Sequence, residues 1–306
     1  MVLLINPQYK EQDEGEWNEP IPHIGQAYIA SFYRKHGGIV KLLDANYYGW
    51  DNKRLLSEIE LYMDECKLIG ISAYTPTWKY VKELVNMIRD SYPEVHITIG
   101  GYHPTLFSEQ ALTEAKGVNS IIIGEGEITF TELAQCIHKG ISWKGVEGIA
   151  YRTQDGIHKN KCRKFVENLD EFPFPARDYL NDINQTVPIC ASRGCYSNCS
   201  FCSISSFYNG NGRKKFRMRS AKNIVDEIEI LFQQYGNKEY WFVDDNFLSA
   251  TRFNRNYVIE FAEEIKKRKL DLHFHLACRA DEITEDNVSI LVEIGLKSVM
   301  VGIESA

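Results

Sequence analysis

The sequence predicts an α/β chain: a doubly wound, five-stranded parallel sheet over residues 1–140, a linker with a hairpin over 141–182, and a partial (β/α) barrel over 183–306. Three observations predict it. The first 138 residues repeat an apolar strand followed by an amphipathic helix five times, the same alternation resumes near residue 187, and the stretch between them loses the rhythm. A length of 306 residues also exceeds what one hydrophobic core ordinarily holds.

The first strands read as VLLIN (2–6), IVKLLDA (39–45), KLIGIS (67–72), VHITIG (95–100) and SIIIG (120–124). The helices between them check by spacing. Val81, Leu84, Val85 and Ile88 fall at i, i+3, i+4 and i+7, as do Phe130, Leu133, Ala134 and Ile137. Such alternation gives a parallel sheet covered on both faces, with ligand sites at the carboxyl ends of its strands. Those ends read NPQY, DANY, SAYTPTW, GGYHPT and GEGE, rich in glycine and small polar residues. In the linker, EGIAYRTQDGIHKN predicts a hairpin about Asp155-Gly156, and LDEFPFPARDY carries two prolines.

The second series has strands VPICAS (187–192), YWFVDD (240–245), LHFHLACR (272–279) and KSVMVGIES (297–305). A helix starts at Ser220 as N-cap, carries Ile224, Val225, Ile228, Leu231 and Phe232 on one stripe, and stops at Gly236. Another covers about 252–269, and a shorter one follows Thr284. With four barrel strands before Ala306, a bare edge is expected to need either more chain or a partner to cover it.

Composition excludes several classes. A net charge of −7, with acidic and basic residues mixed, argues against bulk attraction to nucleic acid. The run GRKKFRMR (212–219) reads as a solvated loop. No apolar run approaches the roughly 20 residues that span a bilayer, and the start MVLLINPQYK reads as a first strand rather than a signal peptide. A cytoplasmic protein is expected, with its eight cysteines as thiols.

Four of those cysteines fall within CASRGCYSNCSFCS (190–203). Cys195, Cys199 and Cys202 form C-x3-C-x2-C on the loop after the first barrel strand, so three thiolates on a short loop can wrap one metal centre. Cys190 lies in the strand and reads as a small buried side chain. Two site types compete for the trio. Structural zinc wants four closed ligands, which Cys278, His273 and His275 could supply only if later strands brought them near. An iron-sulfur cubane held by three cysteines keeps one iron open, which suits a cluster that binds a substrate or cofactor.

CYSNCSFC resembles the loop of the radical S-adenosylmethionine enzymes, C-x3-C-x-Φ-C with an aromatic Φ, here Phe201. The resemblance implies that Cys195, Cys199 and Cys202 hold a 4Fe-4S cluster. It also implies that S-adenosylmethionine chelates the fourth iron and is cleaved to a 5′-deoxyadenosyl radical. FVDDNF (242–247) makes Asp244 and Asp245 candidates for its amino group, although the family's usual glycine-glycine-glutamate is absent. CRADEIT (278–284) places Arg279 for its carboxylate, and GIES (302–305) places Glu304 and Ser305 near its ribose.

The preceding sheet resembles the cobalamin-binding subgroup of that family, through PIPHIGQAYIASFYRKHGGIVKLLDAN (20–46), GGYHPTLFSEQAL (100–112), IIIGEGEITFTEL (121–133) and LDEFPFPARDYL (169–180), in order. The resemblance covers nearly the whole chain. Candidate cobalamin contacts are Ser72, Tyr74 and Thr75, Gly100, Gly101 and His103, and Gly124, Glu125 and Gly126. Glycines at adjacent strand ends let backbone approach a large planar ring, tight turns being the competing explanation. The first loop, INPQYKEQDEG, lacks the D-x-H-x-x-G histidine, so cobalamin without a lower histidine ligand is expected, a state that favours nucleophilic cobalt(I) and methyl transfer.

The expected function is methyl transfer to an unactivated carbon of a small molecule, with a flavodoxin- or ferredoxin-type external electron donor. Radical cyclisation or ring rearrangement is the alternative within the family. A non-catalytic half-barrel partner protein and a zinc-stabilised module are the rivals from other classes.

Overall fold

A computed structural model describes residues 1–9, 21–180, 186–208 and 216–304. Two compact units divide the chain: Met1–Phe165 with Pro173–Ala176, and Val166–Phe172 with Arg177–Ala306.

In the first unit, β1 (Val2–Asn6), β2 (Val40–Asp44), β3 (Leu68–Ser72), β4 (His96–Gly100) and β5 (Ser120–Ile122) run parallel in the order β2-β1-β3-β4-β5. Alternation sorts their side chains. Leu3, Ile5, Ile69, Ile71, Ile97, Ile99 and Ile121 join a core with Leu55, Ile59, Val81, Leu84, Val85 and Ile88. The residues between them, Val2, Leu4, Leu68 and Ile122, pack with Ala27, Ala30, Tyr33, Phe130 and Leu133 on the other face. Both faces are therefore covered, as the strand-helix rhythm predicts.

The hairpin about Asp155-Gly156 forms, but it does not lead away from the sheet. Its strands β6 (Ile149–Thr153) and β7 (Gly156–Lys159) add to β5 antiparallel and extend the sheet to seven strands. The Arg152 guanidinium fastens this extension by donating to the carbonyls of Leu112, Lys116 and Val118.

The second unit holds a four-stranded parallel sheet in the order β8-β11-β12-β13: β8 (Val187–Ile189), β11 (Glu239–Phe242), β12 (His273–Arg279) and β13 (Leu296–Gly302). Sequential order with parallel pairing is the expected barrel construction. The predicted strand 187–192 breaks at Cys190, and its second half becomes β9 (Ser192–Gly194), paired antiparallel with β10 (Phe216–Met218). Phe242, Phe274, Leu276 and Cys278 face the helix layer, where Phe242 meets Phe261 and Phe274 edge-on. His273 and His275 lie on the opposite face with Glu239, and His275 reaches Glu239 at 2.5 Å and Ser298 at 2.6 Å. Cys278 and the two histidines therefore do not converge.

The basic run corrects an expectation. Residues 212–215 lie outside the described residues, but Arg217 and Arg219 are buried rather than solvated. The Arg219 guanidinium meets Glu227 at 2.6 Å, and Arg177 meets the other oxygen of Glu227 at 2.5 Å. Arg177 also donates to the Pro188 carbonyl on β8, and Arg219 to the Cys190 carbonyl just after it. One buried carboxylate, through its two arginines, thus joins the helix Ala221–Tyr235 to the carboxyl-terminal half of the loop-bearing strand.

Removing the partner of a buried charge costs far more than an exposed pair is worth. Glu227→Gln is expected to lower stability by about 3 kcal/mol or more. Hydrogen exchange of the 221–235 amides, compared with the parent, measures it.

Candidate functional site

In the second unit the site starts where β8 ends. The Asp244 carboxylate, just beyond β11, accepts the Ala191 N–H at 3.2 Å and the Ser192 hydroxyl at 2.5 Å. Burial pushes its carboxyl up to about 7 against the pull of those donors. Asp245 accepts the Gly194 N–H at 3.1 Å. It is open to solvent yet crowded by protein, and the crowding lifts its carboxyl to about 6. Gly194 has φ +82°, a conformation that lets the chain swing from β9 directly into the cysteine loop. The two aspartates therefore brace the root of that loop.

Cys195, Cys199 and Cys202 are free and half-buried on this one loop. The Cys202 N–H donates to the Cys199 carbonyl at 3.1 Å, and the Ser197 N–H points at Cys195 Sγ from 3.5 Å. Arg279, at the end of β12, lies between Asp281, at 2.8 Å, and Cys199 Sγ, at 3.7 Å. A positive charge thus stands against one sulfur, and the bond to Asp281 keeps that guanidinium protonated. Arg252 covers the Tyr196 ring at 4.2 Å while holding Glu282 at 3.1 Å, so the loop is clasped to the turn after β12. Phe201 is 69% exposed, and none of the protein's own core claims it.

Among the described residues, no three histidine, cysteine or acidic side chains already stand together as a metal-ligating group. The donor chemistry nonetheless fits an iron-sulfur cluster: three unpaired thiols within one short loop, rooted by fixed backbone and flanked by a cation. Gathering sulfurs is work that metal binding itself supplies.

Two other cysteines differ in kind. Burial pushes Cys190 up to about 12 and Cys278 up to about 11, which suits inert side chains. Glu304 follows β13 with φ +65°, an unusual conformation for a side-chain-bearing residue, and is exposed. Ser305 lies outside the described residues.

In the first unit the candidates collect at the carboxyl ends of β3, β4 and β5. Tyr74 stacks on Tyr102 at 5.9 Å, and Thr75 Oγ1 meets His103 Nδ1 at 3.1 Å. His103 is buried against Trp78 and Phe107, and its Nε2 has no hydrogen-bond partner. The glycines divide by cause. Gly101 has φ +103°, and a Cβ there would meet the Ala73 carbonyl oxygen at 2.8 Å. Gly124 has φ +83°, and a Cβ on Gly126 would strike Ile29. A Cβ on Gly100 would meet only ordinary contacts, so packing does not require that position to be bare. Glu125 is half-buried in the same turn.

Sequence reasoning missed His23. It caps the helix Ile24–Lys35, and its Nε2 lies 3.0 Å from both the Ser72 hydroxyl and the Tyr74 hydroxyl. Histidine is not a usual cap, so the only available signal was its place just before an amphipathic stripe. Arg252 was missed because its partners lie on other elements.

Asp244 titrates near 7 in the folded chain and near 4 when unfolded, so the folded state binds the extra proton between those values. Stability of the metal-free second unit is expected to fall as pH rises from about 4 to about 7 and then level. Asp244→Asn should reduce that slope in urea titrations across pH, leaving the smaller part that Asp245 contributes below about 6, while an unchanged slope would refute the assignment.

A model of the B12 binding domain matches residues 16–134, and one of the radical SAM superfamily matches residues 189–306. Over its whole length the chain is 30% identical to an uncharacterized methyltransferase of Pyrococcus horikoshii. It is 28% identical to the anaerobic magnesium-protoporphyrin IX monomethyl ester cyclase of Rubrivivax gelatinosus. It spans 65% and 55% of those two proteins. Its fold matches the radical S-adenosylmethionine methyltransferase TsrM of Kitasatospora setae, solved with cobalamin and a 4Fe-4S cluster. The TM-score is 0.76 at 19% identity, over 99% of this chain and 58% of that one. No helix among the described residues is long and apolar enough to cross a membrane. The chain thus joins a B12-binding domain to a radical SAM domain.

Proposed function

We propose that this chain acts as a cobalamin-dependent radical S-adenosylmethionine enzyme that methylates an unactivated carbon of a small molecule. One observation carries the reading: a three-cysteine loop rooted by Asp244 and Asp245 and flanked by Arg279, in a chain that also bears a B12-binding domain. Residues 1–140 are assigned to cobalamin and 183–306 to S-adenosylmethionine and the cluster. When bound, these cofactors supply a one-electron reductant, a radical source and a methyl carrier.

The chain's own residues supply position. Cys195, Cys199 and Cys202 would hold the iron, with the fourth corner left to S-adenosylmethionine. Arg279 offers a planar pair of donors to the methionine carboxylate. Asp244 has both oxygens occupied by the chain, so it acts by fixing the loop, while the accessible Asp245 can also receive an ammonium. Exposed Phe201 and Glu304, with Ser305, are assigned to the adenosyl moiety. Ser72, Tyr74 and Thr75, with Gly100, Gly101, His103, Gly124, Glu125 and Gly126, form the cobalamin shelf. All eight cysteines are free, which fits a cytoplasmic setting, and the electron is assigned to an external flavodoxin- or ferredoxin-type donor.

Ring closure is the second reading, favoured by the likeness to the cyclase of Rubrivivax gelatinosus.

Anaerobic reconstitution is expected to give about four iron and four sulfide per chain. The C195A/C199A/C202A variant should lose both; zinc in the parent would overturn the reading. Methylated product formed with 5′-deoxyadenosine supports methyl transfer, and a cyclised product with no added methyl supports the second reading.

A further inference from the structure

At the carboxyl end of β3 one imidazole is fixed on three sides. The backbone N–H of Gln26 donates to His23 Nδ1 at 3.0 Å, so this nitrogen is an acceptor. A neutral imidazole with an accepting Nδ1 carries its proton on Nε2. That nitrogen stands 3.0 Å from both Ser72 Oγ and Tyr74 Oη, so it is the donor to those two oxygens. The backbone that carries the ring is held as well, because the N–H of His23 donates to Asp44 Oδ2 at 2.8 Å. Asp44 Oδ1 is in turn held by Asn6 at 2.8 Å and by the Tyr47 N–H at 3.0 Å. Desolvation lowers the pKa of the imidazole against the pull of Asp44, which keeps it neutral.

The consequence concerns polarity. A hydroxyl that accepts from an imidazole N–H cannot give its own proton to that nitrogen and directs it elsewhere. Ser72 and Tyr74 are thereby set as donors at the strand end that bears the assigned shelf. A corrin ring carries amide side chains whose carbonyl oxygens need such donors.

We propose that His23 is a positioning residue of the cobalamin site, fixing the Ser72 and Tyr74 hydroxyls as hydrogen-bond donors to corrin amide carbonyls. The same geometry removes His23 from consideration as a cobalt ligand, since one ring nitrogen accepts a backbone N–H and the other is protonated. The inference rests on the cobalamin reading given above.

Two substitutions separate capping from positioning. In His23→Asn the amide oxygen sits where Nδ1 sat and keeps the cap, but no donor reaches the two hydroxyls. In His23→Gln the amide nitrogen sits where Nε2 sat, so the donor survives while the cap is lost. Hydroxocobalamin binding to the anaerobically prepared chain, followed by visible absorbance, is expected to weaken about five- to tenfold in H23N and less than about twofold in H23Q. Hydrogen exchange at the Gln26 amide should rise only in H23Q. Adding Tyr74→Phe to H23N should cost less than Tyr74→Phe costs the parent, because the two act through one bond. Equal affinity in parent and H23N, or loss confined to H23Q, overturns the inference and leaves the cobalamin reading standing. No binding by the parent overturns both.

Discussion

A buried carboxylate at the end of one strand holds the backbone at the end of its neighbour, and the cysteine loop springs from there. Asp244 draws in the Ala191 N–H and the Ser192 hydroxyl, which ends β8 after three residues and turns the chain into β9. Without that pull, the apolar run from 187 would continue as one strand and the cysteines would start further along and on another heading. Desolvating an aspartate is unfavourable, and the elevated carboxyl shows it. The backbone and hydroxyl donors offset part of that cost, and the remainder is a local weakness stored where a fixed loop root is needed.

The second constraint lies behind the first. Glu227 accepts two guanidiniums, and those two reach the carbonyls of Pro188 and Cys190. Backbone that Asp244 grips through N–H on one side is thus gripped through C=O on the other. A short strand followed by a sharp turn leaves many backbone groups unpaired inside the protein, and each needs a partner. Long arginine side chains bring donors to these carbonyls from distant segments, and a single glutamate pairs with both of them. Packing alone would not specify the turn so narrowly, because apolar contacts carry no direction.

How much of this was legible depended on range. Every parallel strand of the first sheet could be read from its apolar run, since β1, β3 and β4 are buried on both faces. The helix from Ser220 to Gly236 was legible at both ends because a side-chain cap and a left-handed glycine are local devices. The break after β8 was not, because Asp244 lies more than fifty residues away. Nor was the burial of Arg217 and Arg219, since a charged run reads as solvated until its partner is known. Asp155-Gly156 announced a hairpin correctly but could not say which strand it would join. His23 shows the same limit: its cap is local, while its contacts to Ser72 and Tyr74 belong to the assembled sheet.

The two assigned cofactor sites differ in how much is built beforehand, and the difference follows from the chemistry each must do. A corrin is a large preformed ring, so its shelf gains from rigidity: strand ends, a glycine held at positive φ against Ala73, and hydroxyls whose polarity is already set. An iron-sulfur cluster brings strong bonds of its own and can draw three sulfurs together as it forms. For that site the fold needs only to fix the root of the loop and place a cation beside thiols that the sequence already holds close together. The structure does those things, with Asp244 and Asp245 at the root and Arg279 against Cys199. Greater rigidity there would oppose assembly, because a loop locked in one conformation could not close around an incoming cluster.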